Sequence, residues 1–195
     1  MKHARRNGWL TVALVLMSLA LGSLWGLAAK YETIQATLMG EGAQLGRRTD
    51  VKIIIYEYST DDDQKALQEA FTAAGSEGLF NALTKMKAKG HMSISGTLGY
   101  DVNYIKEFEV PEGRKIRLVT DRPIRFGEAW HQTRSTDYNL SACDVIITKD
   151  KKKCTGTIVP AFELKLDPKT NQIVVEAFKN PWQMLNIVYY PAKKK

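Results

Sequence analysis

The residues whose types could support chemistry concentrate between Leu118 and Leu140. Arginine, glutamate and histidine side chains recur there at three-residue intervals, beside two aromatic rings, one of them Phe126. Arginines near an imidazole can hold a carboxylate or phosphate, and aromatic rings can form the apolar wall of a pocket. We therefore predict a ligand-binding site in this stretch, with a charged surface connection between strands as the alternative. The candidate residues are Arg122, Arg125, Glu128, Trp130, His131 and Arg134.

Catalytic motifs do not accompany these residues. The sequence contains no G-x-S-x-G, H-E-x-x-H or C-x-x-C pattern, and outside the first 29 residues its only histidines are His91 and His131. A hydrolase or isomerase that uses His131 with Glu128 is therefore the less favoured hypothesis. We assign no catalytic residue and favour binding over catalysis.

Two further stretches could suggest a metal or phosphate site. Asp61–Asp63 follows Thr60, and this spacing is typical of a helix N-terminus rather than a calcium loop. The glycines of Gly40–Gly46 do not fit the G-x-G-x-x-G pattern, so we expect a simple loop there. The sequence predicts no cofactor and no metal.

The N-terminus predicts the cellular location. Basic residues lie between Met1 and Arg6, and the run Trp9–Ala29 is apolar and uncharged. This pattern is typical of a signal peptide over residues 1–29, with an uncleaved membrane anchor as the alternative. Either form predicts an exported bacterial protein, periplasmic or secreted, that meets the membrane only through this segment if the segment is retained.

The remaining residues, 30–195, are enough for one globular domain with its own core. The whole chain carries a net charge of +7, much of it in two lysine clusters, Lys149–Lys153 and Lys193–Lys195. Lysines at a turn and at a chain end are typical of solvated surface. We therefore predict no nucleic-acid partner.

The pattern of apolar residues predicts an α+β fold dominated by an antiparallel β meander. Alternation of apolar and polar residues indicates about eight or nine strands, and helical spacing indicates a helical pair near residues 61–75 and 77–89 after an early strand. We expect a curved sheet or barrel with the helical pair across one side. A two-sheet β-sandwich is the alternative.

Two hairpins can be given a register. A turn at Lys151–Lys152 would pair Val145 with Ile158, and a turn around Pro168–Asn171 would pair Leu166 with Ile173. Together these registers place eight apolar residues on one face of the sheet: Val145, Ile147, Ile158, Phe162, Leu164, Leu166, Ile173 and Val175. The first register also separates Cys143 and Cys154 by about 20 Å along the ladder, so we predict no disulfide between them.

Several phrases of the sequence resemble a group of exported bacterial proteins that are described only as uncharacterised. The phrases are "EYSTDDDQKALQEAF", "GTLGYDVNYI", "IRLVTDRPIRFGEA" and "NPWQMLNIV". The resemblance implies export and a single compact domain, and it carries no functional residue. Our leading hypothesis is a non-enzymatic envelope protein that binds a small molecule or a partner protein. A structural or protein-interaction module is the alternative.

Overall fold

The computed structural model describes residues 30–124, 138–150, 153–166, 173–177 and 180–192. Within these ranges the chain forms ten β-strands, one α-helix and a short 3-10 turn at Gly42–Gln44. The helix, α1, spans Asp61–Lys85. The strands are β1 (Glu32–Gly40), β2 (Arg48–Ile55), β3 (Gly90–Ile94), β4 (Tyr100–Val102), β5 (Tyr104–Val110), β6 (Gly113–Thr120), β7 (Leu140–Ile147), β8 (Thr155–Leu166), β9 (Ile173–Ala177) and β10 (Trp182–Tyr190).

All ten strands belong to one antiparallel sheet with the order β4-β3-β2-β1-β10-β8-β7-β6-β5, and β9 pairs with β8. The strands at the two ends of this order, β4 and β5, are consecutive in the chain and separated only by Asn103. The sheet must therefore curl back on itself into a nearly closed, barrel-like form. The predicted antiparallel α+β class and curved sheet are confirmed, while the two-sheet sandwich is wrong. The order that curls round contains nine strands, within the predicted eight or nine, and β9 is an additional strand beside β8.

The main core fills the inside of the barrel. Alternate residues of each strand point inward, as the period of two requires. Ile34, Ile53 and Leu118 are fully buried there, and Trp182 and Met184 enter from β10. A second apolar cluster lies outside the barrel, between α1 and the outer face of β5 to β8.

Local sequence fixes the start and the bend of α1. The Thr60 hydroxyl accepts a hydrogen bond from the Asp63 amide, and the Asp63 carboxylate accepts one from the Thr60 amide, which completes a capping box. The backbone leaves helical geometry at Ala74 and Gly75, where Gly75 adopts a φ of 61°. The predicted pair of separate helices is therefore wrong, because one helical element continues across this kink and ends at Lys85. Among the described residues, no helix has the length and apolar character needed to cross a bilayer.

The two predicted hairpins differ in outcome. The β8–β9 register is confirmed, since Leu166 lies opposite Ile173 and Leu164 opposite Val175. The β7–β8 register is wrong by two residues, because Val145 lies opposite Gly156 rather than Ile158. The Lys153 amide does bond the Asp150 carbonyl, as a tight turn requires. The Thr148 hydroxyl also donates a hydrogen bond to that carbonyl, at 2.6 Å, and β7 ends at Ile147 rather than continuing to Asp150.

The prediction of one shared apolar face is also wrong. Ile158 points into the barrel, whereas Phe162 and Leu164 join the cluster beneath α1. Leu140 lies opposite Phe162 and Ala142 lies opposite Val159, so a step of two residues in β7 is matched by a step of three in β8. The strand β8 therefore carries a bulge that includes Pro160. An extra residue reverses the side of the sheet to which later residues point.

Both cysteines are free. Cys143 is buried inside the barrel, with its Sγ atom 3.5 Å from Sδ of Met184. Cys154 is partly exposed near Thr148. Burial raises the pKa of the Cys143 thiol, so this group is neutral at physiological pH.

Candidate functional site

A groove lies between α1 and the outer face of the sheet, and we call it the helix–sheet groove. The first half of α1 faces it with one side of the helix, at the spacing of three and four residues that a helix requires. That side consists of Gln64, Leu67, Gln68, Phe71 and Thr72. Of these residues Leu67 is buried, and the polar residues lie along the mouth.

Polar contacts hold the first half of α1 above the sheet at both ends. At its N-terminus Asp61 forms an ion pair with Lys106 on β5, and Asp63 lies 3.4 Å from Lys89. Beyond the kink, the Leu164 amide donates a hydrogen bond of 3.3 Å to the hydroxyl of Ser76. The helix is therefore fixed at two points, and the groove lies between them.

Outward-facing residues of four strands form the floor of the groove. Tyr104 and Phe108 come from β5, Val119 from β6, Ala142 from β7, and Val159 from β8. The bulge in β8 then turns Phe162 and Leu164 to the same side, so they extend the apolar floor. Two residues of β9, Ile173 and Val175, complete the rim and are more than half exposed.

The groove has a volume of about 750 Å³ and its described lining is mainly apolar. This size falls within the usual range for sites that hold small organic ligands. The combination of aromatic and aliphatic walls favours a ligand with an apolar body.

One end of the floor carries charge. Arg117 donates two hydrogen bonds to Asp144, from Nε at 2.8 Å and from Nη2 at 2.7 Å. Lys115, which does not itself line the groove, also approaches Asp144, at 2.8 Å. Burial raises the pKa of Asp144, but the two cations outweigh this effect and hold the pKa below its ordinary value. Two cations on one carboxylate leave one positive charge in excess at this end.

A second cluster of polar side chains closes one end of the barrel, and we call it the barrel-end cluster. Oε2 of Glu32 accepts hydrogen bonds from Arg114 at 2.6 Å, from Tyr58 at 2.7 Å and from Tyr189 at 2.9 Å. Nε of Arg114 lies 3.3 Å from Oε2 of Glu107, near enough for an ion pair but without hydrogen-bond alignment. The guanidinium also lies between the rings of Tyr58 and Tyr189, at 5.8 and 5.2 Å from their centroids.

The barrel-end cluster shifts the ionisation of its members. Burial raises the pKa of Glu32, but hydrogen bonds from Tyr58, Tyr189 and Arg114 outweigh burial and hold the pKa below its ordinary value. Burial and the hydrogen bond to Glu32 raise the pKa of Tyr189 to about 12. These side chains are hydrogen-bonded or ion-paired to one another, and they come from five segments of the barrel. Their arrangement is that of a structural clamp rather than a site that awaits a ligand.

The predicted site falls largely outside the described residues. Arg125, Glu128, Trp130, His131 and Arg134 lie there, as does Phe126. Arg122 is described, and its side chain is half exposed beside Asp121, with Nε to Oδ1 at 3.4 Å. Its carbonyl accepts hydrogen bonds from Thr120 and Ser141. Arg122 is not among the residues of the helix–sheet groove.

Other residues that the sequence singled out have structural partners. Nδ1 of His91 lies 3.2 Å from Asp101 on the neighbouring strand. Asp61–Asp63 forms the first turn of α1 after the N-cap residue Thr60, as predicted. Within the described ranges, no three metal-ligating side chains come together in a group that could hold an ion.

Sequence reasoning missed the helix–sheet groove because its lining looks like ordinary core. One signal was present in the apolar residues on the outward side of β6, β7 and β8, namely Val119, Ala142 and Val159. A strand that is apolar on both sides must be covered on both sides. That signal predicts that another element packs on the outer face of the sheet. It does not predict the gap between that element and the sheet.

Comparison with known proteins adds no relative: no family model, no curated protein and no solved structure matches this chain.

Proposed function

We propose that this chain is a non-enzymatic, exported binding protein of the bacterial envelope. Its ligand is a small amphipathic molecule with an apolar body and one anionic head, held in the helix–sheet groove. The single observation that carries this proposal is the groove itself, with an apolar volume of about 750 Å³ beside a cationic end.

The chemistry of the groove supports an anionic amphiphile. An apolar body gains free energy by leaving water, at roughly 25 cal/mol for each Å² of apolar surface buried. The excess positive charge around Arg117, Lys115 and Asp144 favours an anionic head. A purely apolar ligand would leave this charge unused, and a highly charged ligand would be mismatched to the rest of the lining.

The ionisable groups of the groove support binding rather than catalysis. Among the described lining residues, Arg117 and Asp144 are paired with each other. The lowered pKa of Asp144 makes it a weak base at neutral pH. Burial raises the pKa of Tyr104, so this phenol stays protonated. The hydrolase or isomerase hypothesis with His131 and Glu128 stays a prediction, since both residues lie outside the described ranges.

Export rests on the sequence of residues 1–29, with its basic start and apolar run. Fractionation of bacteria that express the chain should recover it outside the cytoplasm. Mass spectrometry of the N-terminus then distinguishes a cleaved signal peptide from a retained anchor. Recovery in the cytoplasm with all 29 residues in place would contradict the envelope location.

The binding proposal can be tested with dansyl-labelled undecanoic acid as the probe. We expect its fluorescence to rise and shift to the blue on addition of the protein, because the dansyl group leaves water. The variant Thr157→Trp places a large ring on the groove floor and should weaken binding at least tenfold. The matched control is Thr33→Trp, a partly exposed strand position outside the groove, and it should bind like the parent. Equal binding of the probe by all three proteins would refute the helix–sheet groove as the binding site.

The anionic head is tested separately. Arg117→Gln should weaken binding of the carboxylate probe about tenfold, since a charge-assisted hydrogen bond contributes roughly 1.5 kcal/mol or more. Binding of the corresponding dansyl alcohol should change little. Equal losses for the acid and the alcohol would show that Arg117 does not recognise charge.

One observation favours the alternative of a protein-interaction module. All five residues of β9 are exposed, including Val174 at 46%, and within the described residues β9 pairs only with β8. An exposed apolar edge strand can pair with a strand of a second copy. Sedimentation velocity at rising concentration would detect a dimer, and Val174→Lys should abolish it. A parent that stays monomeric would remove this candidate.

A further inference from the structure

Both ends of the described chain leave the barrel at the same rim. Lys30 precedes β1, and β10 ends at Tyr190. The two strands are paired so that Tyr190 lies opposite Thr33. Tyr31 is two residues from Thr33, about 7 Å along the strand. The two chain ends are therefore neighbours on one side of the barrel.

Two exposed tyrosines, Tyr56 and Tyr190, and the partly exposed Tyr31 surround these chain ends. We call this region, together with Lys30, the tyrosine rim. The rings of Tyr31 and Tyr56 pack edge to face, with centroids 5.0 Å apart. Nζ of Lys30 lies 5.0 Å from the centroid of the Tyr31 ring. Tyr56 is 44% exposed and Tyr190 is 46% exposed. Exposed aromatic rings that lie close together on a surface often mark an interaction site.

The barrel-end cluster holds the tyrosine rim in place from behind. Glu32 directly follows Tyr31, and Tyr189 directly precedes Tyr190. Glu32 and Tyr189 are hydrogen-bonded to each other at 2.9 Å. Arg114 adds a bond to Glu32 at 2.6 Å. The backbone of the rim is thus fixed, and its rings form a preformed surface.

From these observations we infer that the tyrosine rim rests on an anionic phospholipid surface. The apolar run Trp9–Ala29 ends immediately before Lys30, so a bilayer that holds this run lies at the rim. Tyrosine suits the lipid headgroup region, because its ring is apolar and its hydroxyl is polar. The sequence also carries the basic cluster Lys193–Lys195 soon after β10, and clustered lysines favour anionic membrane surfaces.

The charges of this barrel end indicate which side faces the lipid. The β5–β6 turn carries the exposed acids Glu109 and Glu112, which anionic headgroups would repel. Lys149 and Lys153 are exposed at the β7–β8 connection, where Asp150 lies 3.7 Å from Lys153. The side with β1, β2 and β10 carries Lys30 and the tyrosines, and its exposed carboxylate Glu57 is paired with Lys87 and Lys89. We therefore place the side with β1, β2 and β10 against the lipid, and the acidic β5–β6 turn is directed away from the lipid.

The rival surface is at the opposite end of the barrel. Leu45 in the β1–β2 connection is 77% exposed, and Leu98 in the β3–β4 connection is 99% exposed. Exposed leucines at loop tips can also enter a bilayer. The two ends therefore make opposite predictions about which part of the chain touches lipid.

The test uses the full chain and vesicles of phosphatidylcholine and phosphatidylglycerol at 7:3, doped with a photoactivatable diazirine lipid. Flotation measures association, and mass spectrometry maps the cross-links. We expect the chain to float and the cross-links outside residues 1–29 to concentrate on peptides with Tyr31, Tyr56 and Tyr190. Failure to float, cross-links confined to residues 1–29, or equal or stronger labelling of the peptides with Leu45 and Leu98 would each overturn the inference.

Variants and lipid composition complete the design. The double variant Tyr56→Ser, Tyr190→Ser should reduce cross-links at the rim at least threefold, whereas Leu98→Ser should leave them unchanged. Pure phosphatidylcholine vesicles should also reduce rim labelling, and unchanged labelling would overturn the choice of an anionic lipid. Probe binding in the helix–sheet groove is a separate measurement, so either proposal can fail while the other stands.

Discussion

Replacement of Glu32 by glutamine removes one charge from the centre of the barrel-end cluster while the shape of the side chain stays nearly the same. Oε2 of Glu32 accepts three hydrogen bonds, from Arg114, Tyr58 and Tyr189, at 2.6, 2.7 and 2.9 Å. A neutral amide oxygen can still accept them, but each bond loses its charge assistance. The variant also leaves Arg114 with Glu107 as its remaining carboxylate partner, at 3.3 Å.

The expected loss of stability follows from these contacts. A hydrogen bond to a charged group contributes roughly 1 kcal/mol more than a neutral one, so three bonds give about 3 kcal/mol. The Glu32 side chain is 19% exposed, and water screens part of this effect. We therefore expect the free energy of unfolding to fall by about 2 kcal/mol, which lowers the melting temperature by roughly 4–8 °C in a domain of this size.

The loss should depend on pH in a defined direction. Because the folded state lowers the pKa of Glu32 below its ordinary value of 4.5, the folded state gains stability from this group above that value. The gain disappears as the pH falls through the folded-state pKa. The difference between parent and variant should therefore be full at pH 7. It should begin to shrink below pH 4.5, where the unfolded parent takes up a proton, and should be lost once the folded parent is protonated as well.

Urea unfolding of the purified proteins, followed by circular dichroism at several pH values, measures this difference. The matched control is Glu109→Gln, because Glu109 is an exposed carboxylate at the same end of the barrel. It should change stability by less than about 0.5 kcal/mol. Equal effects of the two substitutions at pH 7, or a difference that is constant down to pH 3, would refute the reasoning.

Three further predictions concern the core, the kink of α1 and the thiols. Leu83→Ala should lower the free energy of unfolding by about 3 kcal/mol, since Leu83 is fully buried. The control Leu98→Ala, at an exposed position, should change it little, and similar urea midpoints for the two variants would contradict this. Gly78→Ala should destabilise by about 1–3 kcal/mol, because a Cβ atom there would clash with the Ala70 carbonyl; an unchanged melting curve would show that the two halves of α1 separate easily. In the native protein Ellman's reagent should react quickly with Cys154 and slowly with the buried Cys143, and two equal rates would show that the barrel opens readily.

Local patterns in the sequence were sufficient for most of the secondary structure. The Thr60–Asp63 pair marks the start of α1 because a capping box needs only neighbouring residues. The β8–β9 register was predictable because the apolar residues of both strands and the turn between them lie within a short stretch. The β7–β8 register was not, since the ladder lies two residues from the predicted pairing and the length of the connection is not marked by a local pattern.

The candidate site was far less predictable. Charged and aromatic residues near Arg122 are conspicuous in the sequence because their types are unusual among strands. The helix–sheet groove uses common residue types, such as Val119, Ala142 and Val159, drawn from separate strands. Their arrangement around the groove depends on distances between elements, which no local pattern records.

The sequence alone therefore determined the antiparallel α+β class, the start of the helix and the register of one hairpin. These features depend on the period of apolar residues and on contacts between near neighbours. Only the tertiary structure decided that the sheet closes on itself, that the bulge at Pro160 turns Phe162 outward, and that α1 stands off the sheet above a groove. The physical reason is that closure, bulges and gaps depend on how distant segments fill space together, and many arrangements share one local pattern.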